Sequence, residues 1–81
     1  MMSPTLDSRL RAVFASVLGV DVNALSPDSS PESIASWDSL SHISLMMAIE
    51  DDFGLQFEPA ELMTLRNYGG ILQRLHASEV H

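Results

Sequence analysis

The stretch SWDSLSHISLMMAIEDDFG, residues 36–54, places helix-capping residues before an apolar run and a glycine after it. Asp38 and Ser39 are residue types whose side-chain oxygens accept hydrogen bonds from the unpaired N–H groups of a helix start. Gly54 is a typical helix stop, because glycine adopts the left-handed conformation without strain. The stretch therefore predicts a helix that begins near Asp38 or Ser39 and ends at Phe53.

This predicted helix has two apolar faces, whereas a surface helix usually has one. The first face carries His42, Leu45, Met46, Ile49 and Phe53, and the second carries Leu40, Ile43 and Met47. Either both faces are buried in a bundle, or the second face is exposed and docks partner proteins. Glu50 and Asp51 flank the second face, and their charges favour the exposed interpretation.

The chain before this stretch predicts one amphipathic helix and a long loop. Ser3 can cap the helix, Pro4 suits its first turn and Gly19 follows its end. An apolar stripe of period 3.6 runs between them, formed by Leu6, Leu10, Val13, Phe14, Val17 and Leu18. Residues 19–38 then form a loop, which we expect Val22, Leu25 and Ile34 to anchor onto the core.

Two further helices are predicted after Gly54. A short one follows Pro59, and the last starts near Asn67 with an apolar stripe of Tyr68, Ile71, Leu72 and Leu75. Gly69 and Gly70 weaken its first turn by about 1 kcal/mol each relative to alanine. The fold class is therefore all-α: a four-helix bundle with a short third helix and a long loop between helices 1 and 2. We expect residues 1–81 to form a single domain.

Composition excludes several classes of function. The 11 acidic residues outnumber the four arginines, there is no lysine, and the net charge is −7. Nucleic acid and anionic membranes would repel such a chain, whereas basic protein partners would be attracted. No apolar run has the length of a signal peptide or a membrane span, so we expect a cytoplasmic protein.

No metal site is predicted. The chain has no cysteine, which excludes disulfides, thiolate ligands and a cysteine nucleophile. Asp21, Asn23 and Glu32 match three positions of a calcium-binding EF loop. However, Leu25 and Ser26 stand where that loop requires an oxygen ligand and a glycine.

Three interpretations of Ser39 are open. It can cap the helix, although Ser36 and Asp38 already supply capping groups. It can belong to a hydrolytic triad with His42 and Asp38, but Asp38 is adjacent to the serine and cannot orient the far ring nitrogen of His42. Alternatively, its hydroxyl is a modification site on the rim of an exposed apolar face, where the helix dipole favours a phosphate.

The segment DSLSHISLMMAIEDDFG resembles the prosthetic-group segment of the acyl carrier protein family, the phosphopantetheine-binding carriers. The likeness extends over nearly the whole chain: an amphipathic first helix ending in LGV, a long acidic loop, Asp-Ser-Leu, and a second helix closing in EDDFG. WDSLSH is more similar to discrete carriers of specialised pathways than to the housekeeping fatty-acid carrier. Ser41 and Ser44 stand where many fatty-acid carriers have acids.

The resemblance implies specific roles. Ser39 would receive 4'-phosphopantetheine from coenzyme A through a separate phosphopantetheinyl transferase and Mg²⁺. Asp38 would help that transferase dock, and Leu40, Ile43 and Met47, with Glu50 and Asp51 at their rim, would contact partners. The carrier, a monomer without catalysis of its own, would hold an acyl or aminoacyl thioester.

Its further partners would be a loading ligase and a downstream synthase or transferase. The alternative is a small acidic helical protein-interaction module without a prosthetic group, in which Ser39 only caps a helix. For Trp37 we favour a role in anchoring the loop to the core, and for His42 a packed, hydrogen-bonded position.

Overall fold

The computed structural model describes residues 5–79, within which four α-helices form an all-α bundle. In chain order they are α1 (Leu6–Leu18), α2 (Ser39–Phe53), α3 (Pro59–Thr64) and α4 (Tyr68–Glu79). A one-turn 3₁₀ helix, Val22–Ala24, lies in the long connection between α1 and α2. The predicted fold class, with its short third helix and long first loop, is confirmed.

The ends of α1 follow from its flanking residues. Thr5 is the N-cap, and its hydroxyl accepts a hydrogen bond of 3.0 Å from the amide three residues on. The predicted cap Ser3 and the first-turn Pro4 lie outside the described residues. Gly19 ends the helix with φ of 68°, as predicted, since glycine has no Cβ to clash there.

The core is built from one face of each long helix together with anchors from the loops. Its buried members are Leu6, Leu10, Phe14, Leu18, Leu25, Trp37, Leu45, Met46, Ile49, Phe57, Tyr68, Ile71 and Leu75. Phe14 lies at its centre, meeting the rings of Trp37 and Tyr68 edge-on at centroid distances of 5.2 and 5.1 Å. The buried residues of α2 all belong to its first apolar face, as predicted, and this face packs against α1.

The long first loop is anchored by two buried apolar side chains, Leu25 and Trp37, while Ile34 packs partly buried against the core. The expectation for Val22 is wrong, because its side chain remains 38% exposed. Here the backbone makes the attachment instead: the Arg11 guanidinium donates to the carbonyls of Val22 and Leu25. A sequence pattern that scores only apolar side chains does not detect this kind of anchor.

Caps also define the two C-terminal helices. Glu58 and Glu61 form a capping box around Pro59 at the start of α3. The Asn67 side chain accepts a hydrogen bond of 2.6 Å from the Gly70 amide, so the predicted start of α4 is confirmed. Both helix starts are therefore fixed by residues that are close to them in sequence.

Candidate functional site

The first turn of α2 is capped by Asp38. The Asp38 carboxylate accepts a hydrogen bond of 2.9 Å from the Ser41 amide. This hydrogen bond, together with a weaker one from the Ser41 hydroxyl, holds the pKa of Asp38 below its ordinary value. Asp38 is exposed and therefore places a negative charge on the surface directly before Ser39.

Ser39 begins α2 without capping it. Its side chain is exposed, and within residues 5–79 its hydroxyl makes no hydrogen bond, since Asp38 supplies the cap. Ser36, the other predicted capping group, lies in the loop before the helix and is not used. The Ser39 hydroxyl is thus free for chemistry at the N-terminal end of a helix of 15 residues.

The triad interpretation is wrong, because both ring nitrogens of His42 are occupied. The Trp37 indole N–H donates to Nδ1 at 3.0 Å, and Nε2 lies 2.7 Å from the Leu62 carbonyl. His42 is also only 5% exposed. It is packed and hydrogen-bonded, as predicted, and it has no nitrogen left to take a proton from Ser39.

The second apolar face of α2 is exposed. Leu40, Ile43 and Met47 have exposed fractions of 79%, 58% and 62%. The leucine and isoleucine side chains of the core, by contrast, have exposed fractions of 9% or less. The interpretation of a helix buried on both sides is therefore wrong. The exposed face begins next to Ser39 and follows α2 for about two turns.

The two acids predicted at its rim differ in their surroundings. Asp51 is exposed, whereas Glu50 is half-buried and accepts a hydrogen bond of 2.7 Å from the Phe57 amide. Glu50 therefore ties the segment between α2 and α3 to α2, in addition to lying beside Met47. Asp51 is the acid of the pair whose carboxylate remains available to a partner.

The sequence interpretation did not include a second exposed apolar group, on α3. Met63 is 76% exposed and Leu62 is 36% exposed. A signal was present, since PAELMT is too short to bury an apolar face, but α3 was predicted only as a helix. Its attachment to α2 through the Leu62 carbonyl places these side chains near the first turn of α2.

A family model described as the phosphopantetheine attachment site matches residues 8–75. The chain belongs to this family. Domains of this family are the sites of covalent 4'-phosphopantetheine attachment, and they are carriers that do not themselves catalyse. The carrier therefore works with partner enzymes, among them a phosphopantetheinyl transferase.

The first turn of α2 fits such a prosthetic group. Ser39 offers an exposed hydroxyl with no competing hydrogen bond, and the helix N-terminus favours a phosphate there. Once attached, the group supplies a thiol on a flexible arm, which a chain without cysteine otherwise lacks. None of the helices formed by residues 5–79 has the length and apolar character needed to cross a membrane.

Most positive charge on the carrier is neutralised internally. Three of its four arginines pair with carboxylates, in the pairs Arg9–Asp52, Arg11–Asp7 and Arg74–Glu61. Each pair lies at the surface and adds little stability. With three of the four arginines paired in this way, the remaining acids dominate the electrostatic field at the surface.

Proposed function

We propose that Ser39 is the attachment residue and that the carrier presents an acyl or aminoacyl thioester to successive partner enzymes. The observation that carries this proposal is the exposed Ser39 hydroxyl, left free by the Asp38 cap, beside the exposed face of Leu40, Ile43 and Met47. No other serine in the described chain combines a free hydroxyl, a long helix N-terminus and an adjacent apolar surface.

In the attachment step, the Ser39 oxygen forms a phosphodiester with the phosphopantetheine phosphate of coenzyme A. The pyrophosphate P–O bond of coenzyme A breaks, its nucleotide part leaves as adenosine 3',5'-bisphosphate, and the hydroxyl proton passes to a base of the transferase. Asp38 supports this step as a fixed negative charge beside Ser39, because its carboxylate is exposed, ionised at neutral pH and held by the Ser41 amide. Its role is to dock a basic transferase surface.

Partner docking uses the exposed face of α2. Leu40, Ile43 and Met47 supply apolar contact, while Asp51 and the half-buried Glu50 supply charge at the rim. A face this small gives weak binding, and the acidic field speeds the encounter. Fast, weak docking suits a monomeric cytoplasmic carrier that must leave a loading ligase and reach a downstream synthase or transferase.

The cargo belongs to a specialised pathway in this proposal. Ser41 and Ser44 replace the acids that many fatty-acid carriers have at these positions. The first two turns of α2 therefore carry less negative charge than in those carriers. Partners that recognise those acids would bind this carrier less well. We therefore expect loading by a dedicated ligase for an acyl or aminoacyl group.

The intact mass of the protein tests the attachment residue. Incubation with coenzyme A, Mg²⁺ and a broad-specificity phosphopantetheinyl transferase should add one phosphopantetheine, and Ser39→Ala should abolish the gain. Ser44→Ala is the matched control, because Ser44 is also exposed on α2 and should leave the gain unchanged. A gain that persists in Ser39→Ala would assign another residue. No gain with several transferases would favour the alternative, an acidic helical interaction module.

A further inference from the structure

The helix α3 is too short to be stable by itself. It spans six residues, Pro59–Thr64, and buries none of them in the core. Isolated helices shorter than about 12 residues are marginal in water, because nucleation fixes several residues for one hydrogen bond. Contacts with the rest of the molecule must therefore hold α3 in place: the Arg74–Glu61 pair joins it to α4, and further contacts lie at its two ends.

At its N-terminal end, the capping box of Glu58 and Glu61 satisfies the first amides. At its C-terminal end, the Leu65 amide donates to the Glu61 carbonyl at 2.9 Å. The next amide, that of Arg66, turns to the Thr64 carbonyl instead. In a longer helix the Arg66 amide would donate to the Leu62 carbonyl. Here it does not, so the Leu62 carbonyl lacks its helical backbone donor.

His42 fills this place from α2, with Nε2 at 2.7 Å from the Leu62 oxygen. Its tautomer is fixed by Trp37, because an indole N–H can only donate and Nδ1 must therefore be the acceptor. The ring proton is then on Nε2, which donates to the Leu62 carbonyl. Helix ends commonly use side-chain donors in this way, but here the donor comes from a different helix.

The Trp37 ring is itself held from two sides. It packs edge-on against Phe14 of α1, and it lies side by side and nearly coplanar with the His42 ring, to which its N–H donates, at a centroid distance of 6.0 Å and an interplanar angle of 23°. With an exposed fraction of 1%, it has little freedom to rotate away. Phe14, Trp37, His42 and Leu62 therefore form one connected path from α1 to α3.

We propose that His42 is a positioning residue: it is the C-terminal cap of α3, and Trp37 selects the tautomer that makes the cap. Since His42 lies three residues after Ser39, the cap fixes α3 about one turn from the attachment residue. It thereby holds Leu62, and with it the exposed Met63, at the first turn of α2. This last consequence rests on the proposed function, whereas the cap itself does not.

The ring ¹⁵N chemical shifts of the unmodified protein at neutral pH test the tautomer directly. We expect His42 to show a protonated Nε2 and an unprotonated Nδ1, with a cross-hydrogen-bond correlation from the Trp37 indole N–H to Nδ1. A protonated Nδ1 would overturn the proposal. This measurement needs no variant, so it holds even if substitutions at His42 unfold the chain.

Amide hydrogen exchange of two variants tests the cap. Asparagine can accept from Trp37 but is too short to reach Leu62, so His42→Asn should speed exchange at Leu62 and Leu65 by about five- to tenfold. Glutamine places an N–H near the position of Nε2, so His42→Gln should restore slow exchange. His76→Gln is the control, because His76 is exposed on α4. Equal exchange in both His42 variants, or equal acceleration in α1, would reduce His42 to a packing residue and overturn the proposal.

Transferase kinetics then test the consequence for docking. His42→Asn should raise KM for the carrier several-fold with kcat nearly unchanged, and His42→Gln should rescue KM. Unchanged KM together with faster α3 exchange would remove the docking consequence and leave the cap in place. Absence of any modification in the unsubstituted protein would instead contradict the proposed function, and the tautomer and exchange results would still decide the cap.

Discussion

Asp38 and Ser39 show how adjacent residues of similar capping ability receive different roles. Both can accept a hydrogen bond at a helix start, but only one residue can occupy the N-cap position of α2. Asp38 takes it, with extended backbone geometry and a hydrogen bond to the Ser41 amide. Ser39 is then the first helical residue; it is exposed, and its hydroxyl makes no hydrogen bond within the described residues.

A pair of substitutions separates the cap function of Asp38 from its charge. Asp38→Asn keeps a good cap and should leave the melting temperature at pH 7 nearly unchanged, while Asp38→Ala should lower it by a few degrees. Both remove the charge, so both should raise the transferase KM. Thermal unfolding and transferase kinetics give the two readouts. An Asn variant with wild-type KM would show that the charge does not serve docking.

The pH dependence of stability supplies the control. Because the folded-state pKa of Asp38 is lowered, its carboxylate stabilises the fold above the unfolded value of about 3.9, and this contribution is lost as the pH falls through the folded value. The Asn variant lacks this titration. Its melting temperature should therefore fall less than that of the wild type between pH 5 and pH 2. Parallel curves would contradict the role of the Asp38 carboxylate in the fold.

At the scale of the element, α2 has one face for the core and one for solvent. Leu45, Met46 and Ile49 are fully buried on the side where α2 packs on α1. No other long helix covers the opposite side within the described chain, and α3 is too short to reach along it. The same helix can therefore supply both the folding energy and a docking surface.

Two leucines of α2 offer a matched test of this division. Leu45→Ala should lower the free energy of unfolding by about 2–5 kcal/mol, because it leaves a cavity in a fully buried position. Leu40→Ala should change it by less than about 0.5 kcal/mol, since 79% of the Leu40 side chain is exposed. Urea unfolding followed by circular dichroism measures both values. Similar losses for the two variants would mean that the faces are wrongly assigned.

At the scale of the whole molecule, the long first loop closes over the start of α4. The amides of Tyr68 and Gly69 donate to the carbonyls of Ser29 and Pro27, at 2.9 and 3.1 Å. Gly69 permits this approach, because a Cβ there would lie 2.9 Å from the Pro27 oxygen. These hydrogen bonds fix the loop to the rest of the fold, and the loop in turn positions Trp37 and Asp38 at the start of α2.

The two glycines at the start of α4 should respond differently to alanine. Gly69→Ala should lower the free energy of unfolding by about 1–3 kcal/mol, because the Pro27 backbone cannot move aside easily. The gain in helix propensity, about 1 kcal/mol, offsets only part of this loss. Gly70→Ala is the comparison variant: its Cβ would lie 2.8 Å from the Asn67 side-chain oxygen, which is exposed and can rotate away, so this variant should lose only part of the α4 cap. If thermal or urea unfolding ranks Gly70→Ala as the more damaging variant, the loop contact is not the reason for glycine at 69.

Part of the fold and part of the site could be predicted because they depend on local patterns. Caps, glycine stops and apolar periodicity act within a few residues, so the four helices and the two faces of α2 were predicted correctly. Val22 was assigned wrongly because its contact with the rest of the molecule is made by its carbonyl and Arg11. Every residue has a backbone carbonyl, so the sequence does not indicate which carbonyl accepts a hydrogen bond from Arg11.

The sequence by itself determined the all-α fold, the helix start near Asp38 or Ser39, the two apolar faces of that helix and the acidic net charge. Only the tertiary structure decided that His42 joins Trp37 to Leu62, that α3 is capped from α2, and that Gly69 lies against Pro27. These contacts join residues that lie far apart in the chain or that meet through backbone atoms. Their geometry follows from how the helices pack, and helix periodicity alone contains no information about it.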